Sequence, residues 1–140
     1  EDKEKDIFVD EGKLMWWERQ DTVLIDVVVL SVHALGDLAL ILHGKITRCF
    51  HAKDQDCFEE NAQRFLDLIS RTDRLLGSHS HFSWKRWVRA AEKEECGVTL
   101  EEKQLCKVNA RSLVTVWGTI FNDYGYKMWS GLVQGYYRHR

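Results

Sequence analysis

From Thr22 to His51 the chain has no proline and no cluster of turn-forming residues, and the stretch VLIDVVVLSVHALGDLALIL within it is apolar over most of its length. Few folds accept such a run. It is too long for a strand, which in ordinary domains ends after about 5–6 residues, whereas an uninterrupted helix satisfies its interior backbone donors and acceptors internally. One long helix is therefore expected from about Thr22 to about His51, with Asp21 as its N-cap. Being apolar nearly all round, it is expected at the centre of the domain with neighbours on several sides, and Gly36 and Gly44 mark places where another helix comes close. The stretch also has about the length that spans a bilayer. Asp26, His33 and Asp37 interrupt it, however, and an acidic residue near the middle of a spanning helix costs about 2.5–3.5 kcal/mol on insertion scales. No membrane span is expected, and His33 reads as a hydrogen-bonded core residue.

The rest of the chain points to the same class. None of its 140 residues is proline, whereas strands joined by turns and long irregular segments normally use some. The sequence predicts an all-α fold, a single helical bundle of about five to six helices. Residues 1–20 form an N-terminal segment in which FVDEGKLMWWERQ reads as a short helix, and residues 21–140 form the domain proper. After a break at HAKDQD, Phe58, Ala62, Phe65, Ile69 and Leu76 recur at three- or four-residue steps or sums of these, which predicts an amphipathic helix from Cys57 to Leu76. Gly77 ends it as a C-cap before the loop GSHSHFS. A further helix is expected from about Ser83 to near Gly97, with Trp84, Trp87, Val88 and Ala91 on one face. Thr99 and Glu102 have the spacing of a capping box. They open a helix with the stripe Cys106, Ala110, Leu113, Val114 and Trp117, which stops at Gly118. A last helix is expected from about Asn122, with Tyr124, Met128, Trp129, Leu132, Val133, Tyr136 and Tyr137 covering more than one side.

Charge and cysteine use exclude several functions. With 20 basic and 22 acidic residues, the overall balance favours neither nucleic acid nor an anionic membrane. Cys49, Cys57, Cys96 and Cys106 contain no C-x-x-C pair. Free thiols are the expected state; in an oxidising compartment Cys96 and Cys106 are placed to pair across a turn between helices. His79 and His81 have no third ligand at a matching offset and read as a surface loop, so no metal site is expected. No G-x-S-x-G setting or phosphate-binding glycine loop is present. A sugar hydrolase needs two carboxyl groups about 5–5.5 Å or 6.5–9.5 Å apart. Glu59, Glu60, Glu101 and Glu102 lie on polar helix faces and supply no such pair, so no catalytic residue is nominated.

Three polar residues sit in what otherwise reads as an apolar seam. Asn109 and Arg111 lie beside the stripe of their helix, and a partly buried guanidinium needs carboxylate or carbonyl partners. Asp123 is a plausible one, which makes Asn109, Arg111 and Asp123 a structural clamp between the last two helices. Trp117, at a helix end before Gly118, offers a broad apolar plane with one N–H donor, suited to stacking on a sugar ring or to capping a core.

Asn109-Ala110-Arg111, Val114-Thr115 and Trp117, then Asp123-Tyr124, Lys127 and Trp129-Ser130-Gly131-Leu132, then Tyr136-Tyr137 and Arg140 keep a definite spacing. In it the chain resembles the C-terminal helical region of the α-N-acetylglucosaminidase family, lysosomal glycosidases that act on heparan sulfate. That family's pattern is close to Asn-Ala/Ser-Arg-x-Gln-x-Thr-x-Trp, Asp-Tyr-Ala-x-Lys/Arg-x-Trp/Leu-Ala/Ser-Gly-Leu and Tyr-Tyr-x-x-Arg. FLDLISRTDRLLGSHSHF resembles its Phe-Leu-x-Leu-Ile-x-x-x-Asp-x-Leu-Leu segment, and LIDV at 24–27 resembles Leu-Val-Asp-Val. Leu113 stands where the family has Gln, and SWKR replaces Leu-Leu-Gly before Trp87. The resemblance implies a helical accessory domain of a retaining exo-glycosidase that removes terminal α-linked N-acetylglucosamine without metal or organic cofactor. The acid and nucleophile would be glutamates on a preceding barrel domain, the partner of this one at a shared cleft. It also implies that Trp117 and Tyr124 border the sugar site and that the protein is lysosomal or secreted. The alternative is a stand-alone helical interaction module, natural or designed, with no catalysis.

Overall fold

The computed structural model describes residues 21–93, 96–97, 99–116 and 127–139. In chain order they form α1 (Asp21–Ala52), α2 (Gln55–Leu76), a 3-10 turn (Ser80–Phe82), α3 (Trp84–Ala90), α4 (Leu100–Leu113), α5 (Leu132–Gly135) and a second 3-10 turn (Tyr137–His139). Among the described residues there is no strand, and the all-α expectation holds.

α1 and α2 make a helical hairpin closed by a two-residue turn. Lys53 takes a left-handed conformation at φ 57°, and Asp54 caps α2 by accepting from the Cys57 amide at 3.0 Å. The turn brings the last turn of α1 against the first turn of α2, so that Cys49 and Cys57 lie 5.6 Å apart at Cα and are disulfide-bonded. Cys96 and Cys106 are bonded as well, at 6.2 Å. The expectation of free thiols is thus overturned for all four cysteines, because both pairs flank tight helix junctions whose geometry already meets the distance a disulfide requires. Buried Asn61 donates its amide to the Cys57 carbonyl at 2.7 Å, which satisfies a polar group inside the hairpin.

The core joins this hairpin to the C-terminal segment. Val28 and Val32 of α1, Leu76 of α2 and Val133 of α5 are buried together, with Ile69, Leu75, Phe82, Met128 and Tyr137 packed around them. α1 is nevertheless not the covered central helix that its composition predicts. Its most apolar 18-residue window is only 11% buried, and Val27, Leu30, Leu38, Leu40, Ile41 and Phe50 are exposed. His33 is exposed too, not a core residue, and no described side chain would come within 4 Å of a Cβ at Gly36. By length and composition α1 also suffices to cross a membrane. One face of this helix is covered by α2 and α5, and the other is open.

α4 begins where expected. Thr99 Oγ1 accepts from the Glu102 amide at 3.2 Å, and the Glu102 carboxylate accepts from the Thr99 amide at 2.9 Å, which completes the capping box. The helix ends at Leu113, short of Gly118, as the chain enters the β-branched run Val114-Thr115-Val116. These side chains are stiff at χ1, and the Thr115 hydroxyl donates to the Arg111 carbonyl at 2.7 Å. α3 is also shorter than expected. It ends at Ala90, and the disulfide then draws Cys96 toward α4. The last helix is the largest correction. Residues 122–126 of the expected helix lie outside the described residues; of the described ones, 127–129 are not helical, Ser130 pairs with Ser83, and Leu132–Gly135 forms α5.

Candidate functional site

The break in the last helix is made by α2. Asp73 Oδ1 accepts from the Gly131 amide at 2.8 Å and from the Gln134 amide at 3.0 Å, while the Ser130 hydroxyl donates to Asp73 Oδ2 at 3.3 Å. A helix start has four amides without intrahelical partners. Here a carboxylate from another helix takes two donors at that start, the part an adjacent Ser or Asp plays in an ordinary N-cap. Gly131 has φ 87°, a left-handed conformation that strains any residue with a Cβ. Nearby, the Ser70 hydroxyl donates to Gln134 Oε1 at 3.0 Å. Trp-Ser-Gly-Leu is therefore a junction held by a remote aspartate.

Two backbone bonds fasten the same junction to the start of α3, from the Trp84 amide to Ser130 O at 3.0 Å and from the Ser130 amide to Phe82 O at 2.8 Å. Trp87 then links α3 to α4. Its indole N–H donates to the Ala110 carbonyl at 2.8 Å, and its ring lies 5.6 Å from that of Trp129. From the C-terminal segment, the Tyr136 hydroxyl donates to Thr115 O at 3.0 Å and the Tyr137 hydroxyl to Val114 O at 3.2 Å. Three side-chain bonds thus hold the last turn of α4 and the residues just after it.

This anchoring bears on the residues singled out in the sequence. Asn109 and Arg111 are exposed on α4. Asp123, the third member of the expected clamp, lies outside the described residues, as do Trp117 and Tyr124. The fastenings of this seam that the structure describes are the indole of Trp87 and the two tyrosine hydroxyls. Asp73 stands at the aspartate of the Phe-Leu-x-Leu-Ile-x-x-x-Asp-x-Leu-Leu segment but carried no assigned role, although a second signal existed. The α2 stripe passes from Ile69 to Leu76, and the position between them on that face carries an aspartate.

Of the other candidates, Glu101 is exposed on α4, and the rest have structural partners. Glu59 accepts from Gln55 at 2.8 Å, Glu60 pairs with Arg64 at 3.5 Å, and Glu102 serves the capping box. His79 Nδ1 accepts from the His81 amide, which leaves Nε2 to donate to Asp21 at 2.7 Å and ties the loop after α2 to the start of α1. Among the described residues no three His, Cys, Asp or Glu side chains group as a metal site. An apolar cleft of about 210 Å³ beside the junction, lined by Val32, Leu35, Thr72, Met128, Val133 and Tyr137, has no titratable carboxyl group on its walls.

The described residues form an all-α domain whose polar contacts at this junction fasten helices to one another. The model of the α-N-acetylglucosaminidase C-terminal domain matches residues 8–140, and the chain belongs to that family. Three solved structures of a family 89 glycoside hydrolase from Clostridium perfringens share the fold, each with a TM-score of 0.82 at 26% identity over 87% of this chain. One is bound to PUGNAc and one to 2-acetamido-1,2-dideoxynojirimycin; the third, a variant with two glutamates replaced by glutamine, is bound to its substrate GlcNAc-α-1,4-galactose. The chain spans 15% of the length of those structures. No match is found among curated proteins.

Proposed function

We propose that this chain is the helical accessory domain of a retaining exo-glycosidase that removes terminal α-linked N-acetylglucosamine from heparan sulfate-type glycans, and that it has no activity alone. The observation that carries the reading is the fold match to a small part of a glycosidase whose substrate complex is that of a variant with two glutamates replaced by glutamine. Glu59, Glu60 and Glu102 are engaged by Gln55, Arg64 and the Thr99 amide, and none of them faces a cleft as one of two paired carboxyl groups. The open apolar face of α1 supports a large neighbour in the same parent chain, the catalytic barrel, because exposed apolar area of that extent mostly marks an interaction surface. That partner, rather than a bilayer, is the occupant we propose, since Asp26, His33 and Asp37 oppose membrane insertion. The turn held by Tyr136 and Tyr137 leads directly into Trp117, which in this reading borders the sugar together with Tyr124. Two disulfides accord with a lysosomal or secreted protein, since they persist in oxidising compartments.

The 140-residue chain is expected to release no product from an aryl α-N-acetylglucosaminide. Turnover that disappears when a carboxylate of this chain is replaced overturns the proposal. In the parent enzyme, Trp117→Ala is expected to lower kcat/KM roughly ten- to hundred-fold by loosening substrate placement; an unchanged value removes Trp117 from the site.

A further inference from the structure

α3 has a fixed inner face and a cationic outer one. Trp84 lies under Gly131, and Trp87, although partly exposed, is bonded to Ala110 with its ring tilted against that of Trp129, so the indoles engage the neighbouring segments. Lys85, Arg86, Arg89 and Lys93 are exposed and line a groove of about 440 Å³ together with the hydroxyl-bearing Ser80 and Ser83. Among the described residues no acidic side chain lines this groove. The groove between α1 and α2 differs, since Lys45, Arg64 and Arg71 share it with Asp67 and Arg64 is paired with Glu60. Glu92, in the turn just after α3, is engaged by Lys107. Glu94 and Glu95 follow in the sequence and lie outside the described residues. The platform is also held in place, by the Trp84–Ser130 and Ser130–Phe82 backbone bonds, so little ordering is needed when an anion binds. In a chain of net charge −2, four cations in one concavity concentrate a positive field that the overall balance conceals.

We propose that the groove lined by Ser80, Ser83, Lys85, Arg86, Arg89 and Lys93 binds a sulfated polysaccharide chain. Guanidinium groups pair with planar or tetrahedral oxyanions through two parallel hydrogen bonds, and serine hydroxyls add neutral donors suited to sulfate oxygens and sugar hydroxyls. Among the described residues no aromatic side chain lines the groove to stack a base, the usual platform for single-stranded nucleic acid. The choice of a glycan as the polyanion rests on the glycosidase reading. In that setting the groove is an exosite, which holds a charged stretch of the polymer while its end is trimmed elsewhere.

The test titrates the 140-residue chain into a fluorescent heparin-derived octasaccharide at several salt concentrations. Arg86→Ala/Arg89→Ala is compared with Lys45→Ala/Arg71→Ala, which removes the same charge from the α1–α2 groove. Thermal melts check that both variants stay folded, as exposed side chains should allow. The α3 double variant is expected to bind about ten-fold more weakly, with the slope of log affinity on log salt reduced by roughly 1.5–2, close to one per cation removed. The control is expected to change little. Equal weakening by both variants, or no binding by the unaltered chain at low salt, overturns the proposal. So does a single-stranded oligonucleotide of equal charge that binds as tightly with the same dependence on Arg86 and Arg89, which assigns the groove to nucleic acid. Hydrolysis of an uncharged aryl glycoside by the parent enzyme reports on the glycosidase reading separately, because that substrate does not reach the groove.

Discussion

Along α1 and α2, Val28, Val32, Leu42, Leu68 and Leu76 are buried, and Val28, Val32 and Leu76 share their core with Val133 of the C-terminal segment. α3 has no buried residue, and α4 has only Ala110, while Leu100, Leu105, Val108 and Leu113 are exposed. The hairpin is held by continuous apolar contact, which is non-directional and spread over many residues. The α3–α4 pair is held at points: a disulfide, one indole N–H, and an ion pair between Lys107 and Glu92 that is more than a third exposed on each side and worth little. Loss of one contact inside the hairpin should therefore be felt by the whole fold. Loss of one fastening in α3–α4 should loosen that pair and leave the hairpin folded.

The largest expected effect tests the hairpin. Leu76→Ala removes the most buried side chain of the core and should cost about 3 kcal/mol in urea unfolding, with all helices melting together. A loss confined to α2 would break the contrast. Next, Cys96→Ser/Cys106→Ser opens a short loop and should cost about 2–3 kcal/mol by chain entropy. Amide exchange is expected to rise across residues 100–113 while residues 28–42 keep their protection, and a uniform rise would show that the two regions are one cooperative unit. Asp73→Ala tests the bridge between them. With the Gly131 and Gln134 amides left without their acceptor, about 2 kcal/mol should be lost, and exchange should increase first at residues 131–135. The smallest effect sharpens the point-fastening idea. Trp87→Phe keeps an aromatic ring but removes the bond to Ala110, for an expected loss of about 1 kcal/mol read as a shift in melting temperature.

Of the candidate site, the sequence located the right segment but not its organisation. Asn109 and Arg111 drew attention because polar residues beside an apolar stripe need partners, yet both are exposed in this chain. The central polar residue among those described is Asp73, and its partners are backbone amides, which all residues but proline carry and which leave no mark in a sequence. The cysteines show the same division: their spacing allowed one pairing, and the closeness of the helix ends produced two.

The features that the sequence by itself determined are those carried by contacts between near neighbours. The α2 repeat predicted a helix starting at Cys57, against an observed Gln55–Leu76, and the capping box joins residues three apart. Helical hydrogen bonds and caps reach at most about four residues along the chain, so local spacing encodes them. Only the tertiary structure decided that the last helix would break at Gly131, that one face of α1 would stay open, and that Asp73 would hold the junction. The bonds from the Gly131 and Gln134 amides to Asp73 span 58 and 61 residues, and separations of that order are closed by packing the core rather than by any periodicity in the chain.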